Sequence, residues 1–250
     1  MDRYEFRKHF KSTGPAVLPV IHTLDETQAE RNVAAAMRCG AHGVFLINHD
    51  FEYQRLLPII KTVRQRFPAL WLGVNFLAVT GKQAFPVLSA LQEEGTVVDA
   101  YWADDARIDE HAAAQTEAIE IDKLKRDGAW NGMYFGGVAF KKQREVKAAD
   151  FDTSATIACK HMDVVTTSGV ATGEAADLQK IETFRQACVA HPLAVASGIN
   201  PQNVSLYAAS LDAILIATGI NHPGDFYNID PMRLQAVLSI VRATCAGANS

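Results

Sequence analysis

Three stretches decide how this chain folds: Met162-Asp163-Val164-Val165-Thr166, Pro192-Leu193-Ala194-Val195-Ala196 and Leu211-Asp212-Ala213-Ile214-Leu215-Ile216. Each is short, largely apolar and rich in small or β-branched residues. Each runs into a polar turn that carries glycine: Ser168-Gly169-Val170-Ala171-Thr172-Gly173, Ser197-Gly198-Ile199-Asn200-Pro201 and Ala217-Thr218-Gly219. Apolar runs without alternation read as strands buried on both faces of a parallel sheet. A stretch of helical period follows every turn, so the repeating unit is strand, turn, helix.

The same unit recurs towards the N-terminus. Strands are expected over Ala16–Ile21, Gly43–Ile47, Leu70–Phe76, Val97–Trp102 and Gly132–Phe140. Helices are expected over Thr27–Cys39, Tyr53–Arg66, Lys82–Glu94, within Gln115–Arg126, and over Phe151–Lys160. The last three strands lead into helices near Asp177–Val189, Asn203–Ala209 and Pro231–Ala243. Asp25, with Gln28 three residues later, supplies a cap and box for the helix that Gly40 stops. Eight strands alternating with eight helices predict an α/β fold, a single (β/α)8 TIM barrel over residues 1–250, with its site at the C-terminal ends of the strands. Residues 1–14 are expected to cover the barrel bottom. An open doubly wound sheet is the competitor, but no G-x-G-x-x-G follows the first strand and eight regular units favour closure.

Composition sets the outer limits. The chain has 250 residues, 48% hydrophobic and 21% charged, which is ordinary for one barrel-sized globular domain. A net charge of −4 without a basic tail argues against nucleic acid as a partner. No run is long and apolar enough to span a bilayer, and Met1-Asp2-Arg3-Tyr4-Glu5-Phe6 lacks the apolar core of a signal peptide. Cys39, Cys159, Cys188 and Cys245 are scattered without a C-x-x-C pair, as expected of reduced thiols in a cytoplasmic protein.

Chemistry in a closed barrel sits at the strand ends. His22 ends the first strand, Asn48, His49 and Asp50 the second, Asn75 the third, and Trp102, Asp104 and Asp105 the fourth. Lys141 and Lys142 follow the fifth. His22, His49, Asn75, Asp104, Asp105 and Lys141 are therefore the candidate catalytic set. Each has a bland alternative: a hydrogen-bonded structural histidine, an aspartate capping a turn, a solvated lysine loop. Ser168, Gly169, Thr172, Gly173, Ser197, Gly198, Asn203, Thr218 and Gly219, with Asn48, are the candidate substrate and phosphate contacts. Glycine allows close backbone approach, and free N–H groups at helix starts attract anions. No divalent ion is required by this set, although Mg²⁺ on Asp104 is compatible with it. Motifs for a zinc hydrolase, a P-loop and a serine-hydrolase elbow are all missing.

With these residues in view, the chain resembles the BtpA/SgcQ family of TIM-barrel proteins. The likeness is carried by Leu72-Gly73-Val74-Asn75-Phe76-Leu77, by Thr167-Ser168-Gly169-Val170-Ala171-Thr172-Gly173 with Asp177-Leu178, by Ala196-Ser197-Gly198-Ile199-Asn200-Pro201-Gln202-Asn203, and by Val20-Ile21-His22. It departs from the family at Thr23-Leu24-Asp25-Glu26, at the acidic pair Asp104-Asp105, and at Lys141-Lys142. The resemblance implies a divergent branch, sometimes labelled phosphoribosyltransferase, in a family linked to photosystem assembly and sugar operons.

Two functions are weighed. One is an enzyme acting on a phosphorylated sugar or nucleotide by acid–base chemistry, as an isomerase or by transfer or cleavage at a ribosyl carbon. In it Asp104 or Asp105 is the base or metal ligand, and His22 or His49 the acid. The other is a non-catalytic ligand-binding or assembly factor of BtpA type. So many ionisable groups on strand ends favour the enzyme. The expected partner is a phosphorylated small molecule, with homo-oligomerisation left open.

Overall fold

The computed structural model describes residues 1–141 and 143–247. Eight parallel strands close into a barrel in sequence order: β1 (Ala16–Thr23), β2 (Val44–Asn48), β3 (Leu72–Asn75), β4 (Ala100–Ala103), β5 (Met133–Gly137), β6 (Val164–Thr167), β7 (Leu193–Ala196) and β8 (Ala213–Ile216). Closure is made by β1 against β8, with Ala16 opposite Ala213 and Pro19 opposite Ile216. The helices are α1 (Arg3–Phe10), α2 (Glu26–Cys39), α3 (Leu56–Arg66), α4 (Gly81–Glu93), α5 (Thr116–Asp127), α6 (Phe151–Ala158), α7 (Leu178–Cys188), α8 (Val204–Tyr207) and α9 (Pro231–Gly247). The fold is a (β/α)8 TIM barrel, as the strand–turn–helix repeat predicts.

Every strand position is buried, which is why the strands read as apolar runs rather than alternating ones. The period of two survives as a choice between two apolar layers. Leu18, Val20, Phe45, Ile47, Trp102, Phe135, Ala196 and Leu215 pack together in the lumen. Val17, Ile21, Leu46, Val74, Tyr101, Val195 and Ile214 pack outward against the helices. The lumen is lopsided, because β2, β4 and β5 bring aromatic rings where β7 and β8 bring Ala194, Ala196 and Ala213.

Helix α1 closes the bottom. Asp2 caps it in a reciprocal box with Glu5, and the fully buried Phe6 reaches the lumen layer 6.2 Å from the Phe135 ring. The buried carboxylate of Asp212, immediately before β8, accepts from Arg3 at 2.9 Å, Arg7 at 3.1 Å and Arg185 at 2.8 Å. It also takes the Leu193 N–H at 3.1 Å.

The expected elements stand, with shifted boundaries. The fifth strand, expected to reach Phe140, ends at Gly137, because Ala139 turns to φ 46° and sends Phe140 back towards Trp102. The helix expected from Asn203 is a single turn, Val204–Tyr207. The box at Asp25 is half made: Asp25 takes the Gln28 N–H at 2.8 Å, while Gln28 Oε1 takes Leu24 N–H rather than the cap's own. Among the described residues no helix is long and apolar enough to cross a membrane.

Candidate functional site

An open cleft, about 640 Å³ counting the solvent space at its opening, lies at the C-terminal mouth, off-centre over β7, β8 and β1, where alanines leave the lumen shallow. His22, His49, Asp104 and Lys141 line one side of it. Thr172, Gly173, Ser197, Gly198, Thr218 and Gly219 line the other. The floor is Val20, Ile47, Trp102, Ala196 and Leu215.

Strand parity explains which of the candidates arrive. On β1, His22 follows Leu18 and Val20 on the lumen side, and on β4 Asp104 follows Ala100 and Trp102. Asp105 falls on the other side and is spent on the turn, taking the Arg107 N–H at 2.7 Å and its guanidinium at 3.0 Å. Asn48 likewise has the parity of the outward Val44 and Leu46. Its amide donates to Phe51 O at 2.7 Å and accepts from Leu77 N–H at 3.0 Å, so it shapes the loops and does not line the mouth. Asn75, fully buried below the mouth, donates to Asp104 Oδ1 at 3.1 Å and fixes that carboxylate.

Three more expectations are revised. Ser168 is fully buried and stitches two loops, accepting Lys141 N–H at 2.8 Å and donating to Gly169 O at 2.7 Å. Gly169 lines a neighbouring cavity rather than the mouth. Asn203 turns into its own loop, taking Asn200 N–H at 2.9 Å and donating to Gly198 O at 2.8 Å, and it does not line the mouth. Lys142 lies outside the described residues.

The glycine turns work differently from the expectation. A Cβ on Gly198 would lie 2.1 Å from Ala175 N, and one on Gly219 would lie 1.9 Å from Ile199 O. These glycines let adjacent loops nest on each other. Gly198 also has φ 73°, after a Ser197 held at φ 99° by its Oγ, which donates to Ala171 O at 3.0 Å and accepts from Gly173 N–H at 3.1 Å. Among the described residues the N–H groups of Gly198 and Gly219 have no acceptor, and both residues border the cavity. Donors held in a rigid, nested pair of turns are suited to an anion.

The aromatic wall around His22 was not legible in the sequence reading. Phe226, in the loop between β8 and α9, stacks on the His22 ring with centroids 3.8 Å apart and planes at 14°. His22 Nδ1 lies 3.1 Å from Phe226 O, and a carbonyl only accepts, so Nδ1 carries the proton and Nε2 is left basic. Burial pushes His22 down to about 4, with His49 and Lys141 pushing the same way. His22 is therefore neutral at pH 7, a state in which Nε2 can accept a proton and the ring holds none to give as an imidazolium. His49 stands edge-on at 5.7 Å, its Nδ1 3.4 Å from Asp50 Oδ1. The Tyr227 hydroxyl donates to Asp50 at 2.8 Å and, with His49, holds that carboxyl below its usual range. Gln28 and Asn32 of α2 clamp this loop by donating to Tyr227 O at 2.7 and 3.1 Å. Its trace in the sequence is the turn-forming link Asn221-His222-Pro223-Gly224-Asp225 ahead of two aromatics.

Several buried polar atoms lack partners among the described residues, and two of them, Trp102 Nε1 and Asn75 Oδ1, belong to strand-end residues on the lumen side near the mouth. Buried polar groups are nearly always satisfied, so such orphans point to something that completes them. No three metal-ligating side chains gather at Asp104 among the described residues. The one such cluster is Glu110, His111 and Asp150, away from the mouth. There Arg144 grips Glu110 and holds its carboxyl down to about 2, so a cation already fills the position.

A closed (β/α)8 barrel whose mouth sets two nested glycine turns across from His22 and a braced Asp104 is the class of protein these features define. The chain belongs to the BtpA family, whose model matches residues 55–243. A comparison with curated sequences finds no match. Among solved structures, phosphoribosyl anthranilate isomerase from Thermus thermophilus is similar at 13% identity and TM-score 0.60, covering 91% of this chain and 98% of its own. Tryptophan synthase subunit alpha from Legionella pneumophila is similar at 13% identity and TM-score 0.63, covering 99% of each chain. A phosphoribosyl anthranilate isomerase in complex with reduced 1-(O-carboxyphenylamino)-1-deoxyribulose 5-phosphate is similar at 13% identity and TM-score 0.62, over 92% of this chain and 99% of that one. At such identities the likeness is one of fold.

Proposed function

We propose that this protein is an enzyme acting on a phosphorylated sugar or nucleotide, by isomerisation or by transfer or cleavage at a ribosyl carbon. The observation that carries this reading is the cavity itself, where partnerless amides of Gly198 and Gly219 face a neutral His22 and a braced Asp104 across one small space. The phosphate rests on the two turns, with the Thr218 hydroxyl beside it. Trp102 Nε1–H meets a substrate oxygen on the floor. His22 Nε2 removes a proton, and His49, oriented by Asp50, returns one. Asp104 stabilises positive charge developing at the reacting carbon, its orientation set by Asn75. The fold neighbour that holds a deoxyribulose 5-phosphate derivative supports a substrate of this size and charge.

The test is thermal stabilisation by ribose 5-phosphate and related phosphosugars. Gly→Val changes are unsuited, since either Cβ collides with backbone. Thr218→Glu instead places a carboxylate where the phosphate sits. Stabilisation is expected in the native protein and lost in Thr218→Glu at unchanged intrinsic melting temperature. Stabilisation that survives the change places the anion elsewhere. Asp104→Asn should keep the stabilisation and lose turnover, whereas Asp105→Asn keeps both. A protein that binds phosphosugars and turns over none of them would be the ligand-binding factor instead.

A further inference from the structure

Beside the mouth lies a second, larger cavity of about 1740 Å³ empty volume, between the loop after β5 and the loop after β6. Lys141 lines both cavities, so they share a wall. The distinctive group in the second is Lys180, in the first turn of α7. Its Nζ donates to Ala139 O at 2.6 Å and Ser168 O at 2.8 Å and stands 5.1 Å over the Phe151 ring. An ammonium has three protons, and two carbonyls take two of them. Among the described residues no carboxylate pairs with Lys180. The nearby Asp177 is occupied as the cap of α7, taking the N–H groups of Gln179 and Lys180. Lys180 is partly buried, with the Phe184 ring also 5.9 Å from its Nζ, and a cation drawn part-way out of water favours an opposite charge beside it. Here it also sits at the positive end of a helix dipole, which disfavours it further. On the rim Lys147 adds positive charge and Glu145 negative, while Arg144 is taken up by Glu110.

We propose that this cavity is a second anion subsite, in which Lys180 receives a carboxylate or phosphate at the far end of the substrate whose first phosphate lies on the Gly198 and Gly219 turns. The inference rests on the reading of the mouth given above, and it narrows the substrate class to small molecules with an anionic group at each end. Burial pushes Lys180 down to about 8, and an oxyanion beside it would bring it back up.

The probes are two six-carbon chains that differ at one end: gluconate 6-phosphate, with a terminal carboxylate, and glucitol 6-phosphate, with a hydroxyl. Titration calorimetry on the full chain should show gluconate 6-phosphate binding at least about tenfold tighter, the order of one charge-assisted hydrogen bond. Glucitol 1,6-bisphosphate distinguishes the second oxyanion, a phosphate preference appearing as still tighter binding. Lys180→Met should reduce both doubly anionic probes to the affinity of glucitol 6-phosphate and leave that one unchanged. Equal affinities in the native protein overturn the proposal without any variant. So does a Lys180→Met protein in which all three probes weaken alike, since Lys180 would then only hold the loops. Failure of the mouth reading looks different, because glucitol 6-phosphate would then be indifferent to Thr218→Glu.

Discussion

His22 shows how much of the site's chemistry resides in single contacts. Its neutrality follows from burial against Phe226, which removes water from the ring without supplying a counter-charge. Phe226→Ala should readmit water and raise the His22 titration from about 4 towards the ordinary 6.5, as followed by NMR of the ring protons. An unmoved titration would assign the shift to the neighbouring cations instead. The same residue makes stability depend on pH. Its folded value lies below its unfolded one, so the unfolded chain binds the extra proton and stability falls as pH drops through the window from 6.5 to about 4. Between pH 7 and pH 5 this amounts to about 2 kcal/mol. Urea unfolding of His22→Gln should lack that portion of the acid-side loss, and identical pH slopes would refute the assignment.

Among the elements, α1 and the loop between β8 and α9 close opposite ends of the barrel, by different means. The helix is pinned by charge: three arginines converge on an Asp212 that water does not reach. Removing one partner of a buried ionic cluster typically costs about 3–5 kcal/mol, because the remaining charges are left uncompensated. Asp212→Ala should lower the denaturant midpoint accordingly and release α1 to proteolysis, with little effect on phosphosugar affinity at the other end. The loop is held by neutral hydrogen bonds from Gln28 and Asn32 to the Tyr227 carbonyl. Gln28→Leu should weaken ligand binding more than it weakens the fold, because it frees the wall of the mouth while the core stays packed. A variant whose affinity and stability fall in parallel would place Gln28 in the core's cohesion instead.

For the whole molecule, the sheet's two-residue period decides which strand-end groups meet. Asp104 and Asp105 are adjacent in sequence and chemically alike, yet only Asp104 has the parity of Ala100 and Trp102. His22 and Asn75 are selected in the same way, and Asn48 is rejected. The sequence offered Asp104 and Asp105 alike and kept Asn48 among the contacts, because the register that separates them is set only when the strands pair. The membership of the mouth was legible for Thr172, Gly173, Ser197 and Thr218, because glycine-bearing turns at strand ends converge in any closed barrel.

The sequence by itself determined the eight strand–turn–helix units, the closed barrel and the strand ends that hold chemistry, because these follow from local periodicity and turn residues. Only the tertiary structure decided the use of each group. Gly198 and Gly219 are required by loops far apart in the chain that nest at backbone contact. Ser168 spends its hydroxyl on the Lys141 N–H, brought near by folding. His22 owes its protonation state to Phe226, 204 residues away. Burial and solvation are properties of the assembled barrel, and a linear pattern records neither.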